Sequence, residues 1–371
     1  MLRNEGEIMV GTLTSRRHFM IKTAALTMIG GSIASPVMAE QTSTAPGRTL
    51  PKGGKGWRAE GLHAGEKRLY EMPTTEMVII SDGDVVYEYG NPNNVSYLAS
   101  CRKSILSMLF GKYVANGTIN LDKTLAQLNI QDNEKLTETE QQAKVRDLLI
   151  SSSGVYHPAG SPGGDDNNPE RGTHKPGTFF QYNNWDFNVL GAIFEKETGR
   201  TVFEALEKDF VIPLGLQDYD PKRQRMLGYG DRSRYLAYHL FLSPRDMARL
   251  GQLMVQDGQW NGKQIVPADW VRESTKLHVA PAATKMNVGY GYLWWIPQNK
   301  AEAWQGSYCA FGHFGQHILC LPAIKTVIIH RRAISDQFAM ARNSGETLFQ
   351  PPSVAHSKFL DVADTFVQAR G

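Results

Sequence analysis

The chain has 371 residues, 41% hydrophobic and 10% aromatic, enough for one large globular domain or two intimate lobes and unlike a disordered chain. Its formal charge of +3 is carried by scattered basic residues, which gives no electrostatic case for a nucleic-acid or anionic-membrane partner. Three cysteines, none in a Cys-x-x-Cys or Cys/His spacing, offer no zinc ligand set.

At the N-terminus, Ser15-Arg16-Arg17-His18-Phe19 precedes an apolar run from Ala24 to Ala34 that ends at Pro36-Val37-Met38-Ala39. This reads as a twin-arginine export signal over residues 1–39, cleaved after Ala39. The run is too short, and too rich in Gly, Ser and Thr, to hold stably in a bilayer. Its removal leaves a net charge of +1. Periplasmic or secreted localisation is therefore expected, with no stable membrane anchor after cleavage. Residues 40–60 are polar and Gly-rich and read as a flexible segment.

Met77–Ile80 and Val85–Tyr89 flank Ser81-Asp82-Gly83-Asp84, a β-hairpin signal. A helix follows over 104–115, its broad apolar face marking it as buried. Helical patterns then run through 145–150, 188–198, 202–209 and 244–257. The last has Ser243 as N-cap, Pro244 at its first position, and a stripe of Met247, Leu250, Leu253 and Met254. Strand signals return at 291–296, 317–321 and 326–331. A closing amphipathic helix presents Phe359, Val362, Ala363, Phe366 and Val367 on one face, which should lie against the sheet. The predicted fold class is α+β, with a mostly helical lobe (about 100–274) inserted into an antiparallel sheet lobe (about 61–99 and 275–371). Between Gly154 and Thr178 lies a long stretch without apolar periodicity, either a functional loop or an idle one.

Ser100-Cys101-Arg102-Lys103 opens the first buried helix. Residues three apart share a helix face, so Lys103 can reach the Ser100 oxygen and, once deprotonated, accept its proton. Alone, the spacing better suits a serine N-cap followed by a solvated lysine. Tyr182 and Asn184 follow the turn at Pro176-Gly177, and Gly312-His313-Phe314-Gly315-Gln316 stands at the head of a late strand. His313, His317 and His330 are close in sequence or on neighbouring strands, with His313 and His317 at even spacing. No carboxylate or cysteine accompanies them, so neither a metal nor a cofactor is expected.

In this order, Ser-x-x-Lys, Tyr-x-Asn and His-x-Gly resemble the three motifs of serine hydrolases related to class C β-lactamases, penicillin-binding proteins, esterases, D-aminopeptidases and nylon-oligomer hydrolases. The resemblance extends through 145–154, 188–193, 212–216, 243–251 and 260–263, from about residue 65 onward. It implies a β-lactamase/transpeptidase-like fold and a site between the two lobes. Ser100 would be the nucleophile, with Lys103 and Tyr182 as the acid/base pair, each pKa pushed down by burial or a neighbouring cation. The Ser100 and Gln316 backbone N–H groups would form the oxyanion hole. Asn184, His313 and Gly315 would contact substrate, Gly315 by letting it lie close to the strand. His313 departs from the Lys usual in β-lactam hydrolases, and with Phe314 it suits an uncharged ester or amide, unless Arg331 or Arg332 supplies a cation. The expected activity is an exported ester or amide hydrolase acting on a small molecule, peptide-like or not. The alternatives are β-lactamase or D-aminopeptidase/carboxypeptidase activity, or a penicillin-recognising protein with little turnover. Three free thiols are expected, although Cys309 and Cys320 could pair in an oxidising compartment.

Overall fold

The computed structural model describes residues 56–161, 167–343 and 351–370. The expected signal peptide and residues 40–55 lie outside them. Strands from the two ends of the chain share one sheet: β1 (Glu76–Ser81), β2 (Asp84–Tyr89), β3 (Gly289–Tyr290), β4 (Trp295–Ile296), β5 (Tyr308–Gly312), β6 (Gln316–Leu321) and β7 (Thr326–Arg331). They are antiparallel throughout, in the order β2-β1-β7-β6-β5-β4-β3. The β1–β2 turn places both Asp82 (φ 50°) and Gly83 (φ 87°) in the left-handed region, as a two-residue hairpin requires.

Both faces of the sheet are covered. Because side chains alternate along a strand, Met77 and Ile79 join Leu319 and Ile328 against one helical layer, while Val78 and Ile80 join Ile318, Val327 and Ile329 against another. The first layer contains α1 (Ala59–Leu69) and the closing helix. In the closing helix Phe359, Val362, Ala363, Phe366 and Val367 are all buried, as its stripe predicts. The second layer holds α2 (Cys101–Ala115), α3 (Asn184–Thr198) and α4 (Pro244–Val255); in chain order the closing helix is α5 (His356–Val367). At the start of α4, Ser243 Oγ accepts the Asp246 N–H at 3.2 Å, which fixes the entry of the helix onto the sheet. Gly251 lets α4 lie against β7, since a Cβ there would come within 2.5 Å of Val327 Cγ1 and 3.1 Å of Ile318 Cγ2. Gly251→Leu is therefore expected to destabilise the protein by about 2 kcal/mol or more; chemical denaturation at neutral pH measures it, and a loss under about 0.5 kcal/mol would refute the tight fit.

Four expectations need correction. Residues 291–296 do not form a continuous strand: between β3 and β4 the Tyr292 and Leu293 N–H groups donate to the Ser274 and Leu149 carbonyls instead, and Leu293 takes φ 64°. The flexible segment does not reach residue 60, because buried Trp57 bridges to Arg370 and α1 begins at Ala59. The helix expected from residue 188 starts at Asn184, since Asn183 Oδ1 accepts the Asp186 N–H at 3.0 Å. The helix expected over 202–209 ends at Leu206 and widens into a π-type turn over Glu207–Val211. The three cysteines are free and buried. Cys309 pairs in register with Leu319, and Cys320 with Tyr308, so the two thiols project from opposite faces and cannot meet.

Candidate active site

Ser100 stands at the N-cap position of α2 but makes no capping hydrogen bond. Instead its Oγ accepts from Lys103 Nζ at 3.0 Å. The preceding residue, Ala99, is held at φ 48°, a strained conformation for a side chain with a Cβ, and is packed with Tyr97 and Phe314. This turn delivers Ser100 to the wall of a cavity of about 740 Å³.

Lys103 is 2% exposed. Its ammonium donates also to Tyr182 Oη and Asn184 Oδ1, both at 2.8 Å, and it lies 4.3 Å and 4.1 Å from the ring centres of Tyr182 and Phe187. Ser100, Lys103, Tyr182 and Asn184 thus converge on one point. Asn183 caps α3, and that leaves Asn184, the first helical residue, to turn toward Lys103. The acidity of Tyr182 differs from the sequence expectation. Burial pushes the phenol well above its ordinary range, and the hydrogen bond with Ser100 and the charge of Arg102 offset only part of that. Phe187, Tyr290 and Trp295, whose ring centres lie 4.7, 6.2 and 5.3 Å away, supply the apolar surroundings.

The third motif forms a turn between β5 and β6. Phe314 (φ 69°) and Gly315 (φ 108°) break the strand, so His313 and His317 do not share a face. His313 is exposed at the cleft. Phe314 points away from it into a cluster with Tyr97, Phe241 and Ile334, and so does not furnish the apolar contact expected for substrate. At Gly315 an added Cβ would meet Val354 at 2.9 Å and His330 at 3.3 Å; the glycine answers to backbone conformation and this packing. Gln316 is buried, and its carbonyl accepts from the Cys101 thiol at 3.0 Å, which places β6 directly beneath the start of α2. Gly312 permits this approach, since a Cβ there would lie 2.6 Å from the Leu98 carbonyl oxygen. Arg331 supplies no cation to the cleft. It is fully buried and donates to the Leu242 and Tyr97 carbonyls, and neither it nor Arg332 lines the cavity.

Several cavity residues carry no motif signal. Phe179, Phe180, Trp295 and Phe311 give it an aromatic wall, and Ser161 and Asn167 come from the long unpatterned loop. His356, at the start of α5, stacks on Phe311 with ring centres 4.5 Å apart. Arg102, inside the first motif, also lines the cavity.

Behind the third motif, His317, His330 and His356 cluster, with ring centres 5.6 Å (His317–His330) and 5.1 Å (His317–His356) apart. No metal-ligating group of three His, Cys, Asp or Glu residues occurs among the described residues. Burial holds His330 and His356 down to about 4 and His317 well below its usual value. Below pH 6.5 the unfolded chain binds protons that these folded rings refuse. Their contribution is therefore present above pH 6.5 and is lost as pH falls toward 4. The melting temperature is expected to drop between pH 7 and 4.5, with a shallower slope in His317→Phe; an identical slope in the variant would exclude His317 from this linkage.

Comparison with known proteins bears on the family and the fold. The Beta-lactamase family model matches residues 63–330. A candidate 6-aminohexanoate-dimer hydrolase from Bacillus anthracis superposes with a TM-score of 0.61 at 22% identity, over 82% of this chain and 81% of its own. The octameric penicillin-binding protein homologue from Pyrococcus abyssi gives 0.54 at 20% identity, over 78% and 77%. An uncharacterized protein of Alkalihalophilus pseudofirmus is 22% identical over 254 residues, 63% of this chain and 72% of its own length. From the family match across most of the chain and the shared fold, the protein belongs to the Beta-lactamase family, whose β-lactamase/transpeptidase-like fold serves serine hydrolases and penicillin-binding protein homologues alike.

Proposed function

We propose that the protein hydrolyses an ester or amide through an acyl-enzyme on Ser100. The observation that carries this reading is the position of Lys103 Nζ, 3.0 Å from Ser100 Oγ and 2.8 Å from both Tyr182 Oη and Asn184 Oδ1. With Lys103 deprotonated, its Nζ takes the Ser100 proton as Oγ attacks the carbonyl carbon. Tyr182, held as a phenol, gives its proton to the departing oxygen or nitrogen and recovers one from Lys103. The proton lost by Ser100 thus ends on the leaving group. The N–H groups of Ser100 and Gln316 are assigned to the carbonyl oxygen as its charge develops. Asn184 holds the Lys103 ammonium, and His313 lies at the substrate's edge. Water then attacks the acyl carbon while giving a proton to the same pair, which returns it to Ser100 Oγ as the acyl–Oγ bond breaks and the acid leaves.

A nitrophenyl ester tests this directly. A burst of one equivalent of nitrophenolate followed by steady turnover is expected; a single equivalent with no turnover would instead make the protein a binding module that acylates and stops. The twin-arginine pattern supports action outside the cytoplasm. On that reading the mature chain begins at Glu40, and Arg16→Lys/Arg17→Lys retains the protein in the cytoplasm. Among the described residues no helix is long and apolar enough to cross a membrane.

A further inference from the structure

Arg102 is a cation buried in the wall of the catalytic cleft. It sits in the first turn of α2, 3% exposed, and lines the same cavity as Ser100 and Tyr182. One arm of its guanidinium, Nη2, donates to Asn188 Oδ1 at 3.3 Å, and the group lies 4.4 Å from the centre of the Tyr238 ring. Its other arm, Nη1, is buried and has no hydrogen-bond partner among the described residues. Nor does any carboxylate among them lie within 4 Å of it in an ion pair. The contrast with Arg331 is instructive, because that equally buried guanidinium is engaged by backbone carbonyls.

The surroundings of Arg102 fix it in place. Asn188 turns its amide oxygen to Arg102 while its nitrogen donates to Ser161 Oγ at 3.4 Å and to the Tyr235 carbonyl at 3.2 Å. The guanidinium is thereby oriented by α3 and by the loop residue Ser161, itself buried and cavity-lining. A fork held this way, with one arm left over, matches the planar geometry of a carboxylate. A buried charge without a counter-charge is costly, and an anion brought in with the substrate removes that cost.

We propose that Arg102, positioned by Asn188 and Ser161, forms an anion subsite of the cleft, and that the scissile ester or amide belongs to a substrate bearing a carboxylate that Arg102 Nη1 receives. This rests on the Ser100 hydrolase reading and names its substrate class. The cation lies on the helical side of the cleft, in the first motif, and takes the place of none of the third-motif residues. It also revises the sequence expectation of an uncharged substrate, which followed from His313 and Phe314.

Two matched probe pairs test it. In 4-nitrophenyl hydrogen glutarate against methyl 4-nitrophenyl glutarate the carboxylate is on the acyl side; in 4-acetoxybenzoate against its methyl ester it is on the leaving side. For at least one pair the charged member should have the higher kcat/KM, by about tenfold or more. In Arg102→Gln that ratio should fall by about tenfold, and Arg102→Lys should retain part of it. Each ratio is taken within one protein, so a general loss of activity or folded fraction cancels. Ratios near one in the wild type, or a preference that survives Arg102→Gln, would overturn the proposal. Binding without turnover separates this from the hydrolase reading: Ser100→Ala protein should bind monomethyl glutarate more tightly than dimethyl glutarate by calorimetry, and equal affinities would count against the subsite. Persistent turnover by Ser100→Ala would instead overturn the Ser100 assignment.

Discussion

Ser100→Ala is expected to lower kcat for a nitrophenyl ester by at least about 10⁴-fold, because on the proposed mechanism it removes the hydroxyl that forms the acyl bond and with it the covalent route. The fold should be little disturbed. Ser100 Oγ makes no capping bond to α2, so the substitution removes a hydroxyl at the cleft wall and one acceptor for Lys103, whose bonds to Tyr182 and Asn184 remain. A melting temperature within a few degrees of wild type, together with the loss of turnover, is the combination expected of a reacting group. Turnover retained within about tenfold would mean that another residue attacks the substrate.

The second large effect concerns the proton pair. Lys103→Met keeps the length of the side chain and its packing against the Tyr182 and Phe187 rings, but removes the group 3.0 Å from Ser100 Oγ. A loss of about 10³-fold in kcat/KM is expected, within the usual span for a positioned acid/base. Tyr182→Phe should cost about 10²-fold, since Lys103 can still take the Ser100 proton but the leaving group loses its donor. The pH dependence carries the sharper test. Burial raises the Tyr182 phenol above its ordinary range, so it stays protonated where a solvent-exposed tyrosine would ionise, near pH 10. The Tyr182→Phe deficit should accordingly be the same from pH 6 to pH 9.5. A deficit that appears only as pH rises would show that Tyr182 works as a phenolate base.

Much of this site was readable because it is local. The three-residue step from Ser100 to Lys103 is set by the helix itself, and Tyr182 and Asn184 are two positions apart at the start of α3. The same is true of the hairpin at Asp82-Gly83 and of the stripe on α5. What escaped depends on partners distant in the chain. The Tyr182 phenol is raised by its buried surroundings, which include rings at 290 and 295 that the motif does not contain. The run from 291 to 296 has strand composition, yet its backbone donors are claimed by Leu149 and Ser274. Arg102 looks like a filler between Ser100 and Lys103, and only the approach of Asn188, Tyr238 and Ser161 gives it a place in the cleft wall. His313 kept its position at the cleft, whereas Phe314 beside it did not, because a left-handed turn rotated the ring into another cluster.

The most direct measurement of the central claim is to label the protein with a fluorophosphonate, digest it and map the modified peptide by mass spectrometry. One adduct is predicted, on Ser100, absent in Ser100→Ala and much slower to form in Lys103→Met. An adduct on any other residue, or labelling of Ser100→Ala at the wild-type rate, would contradict it.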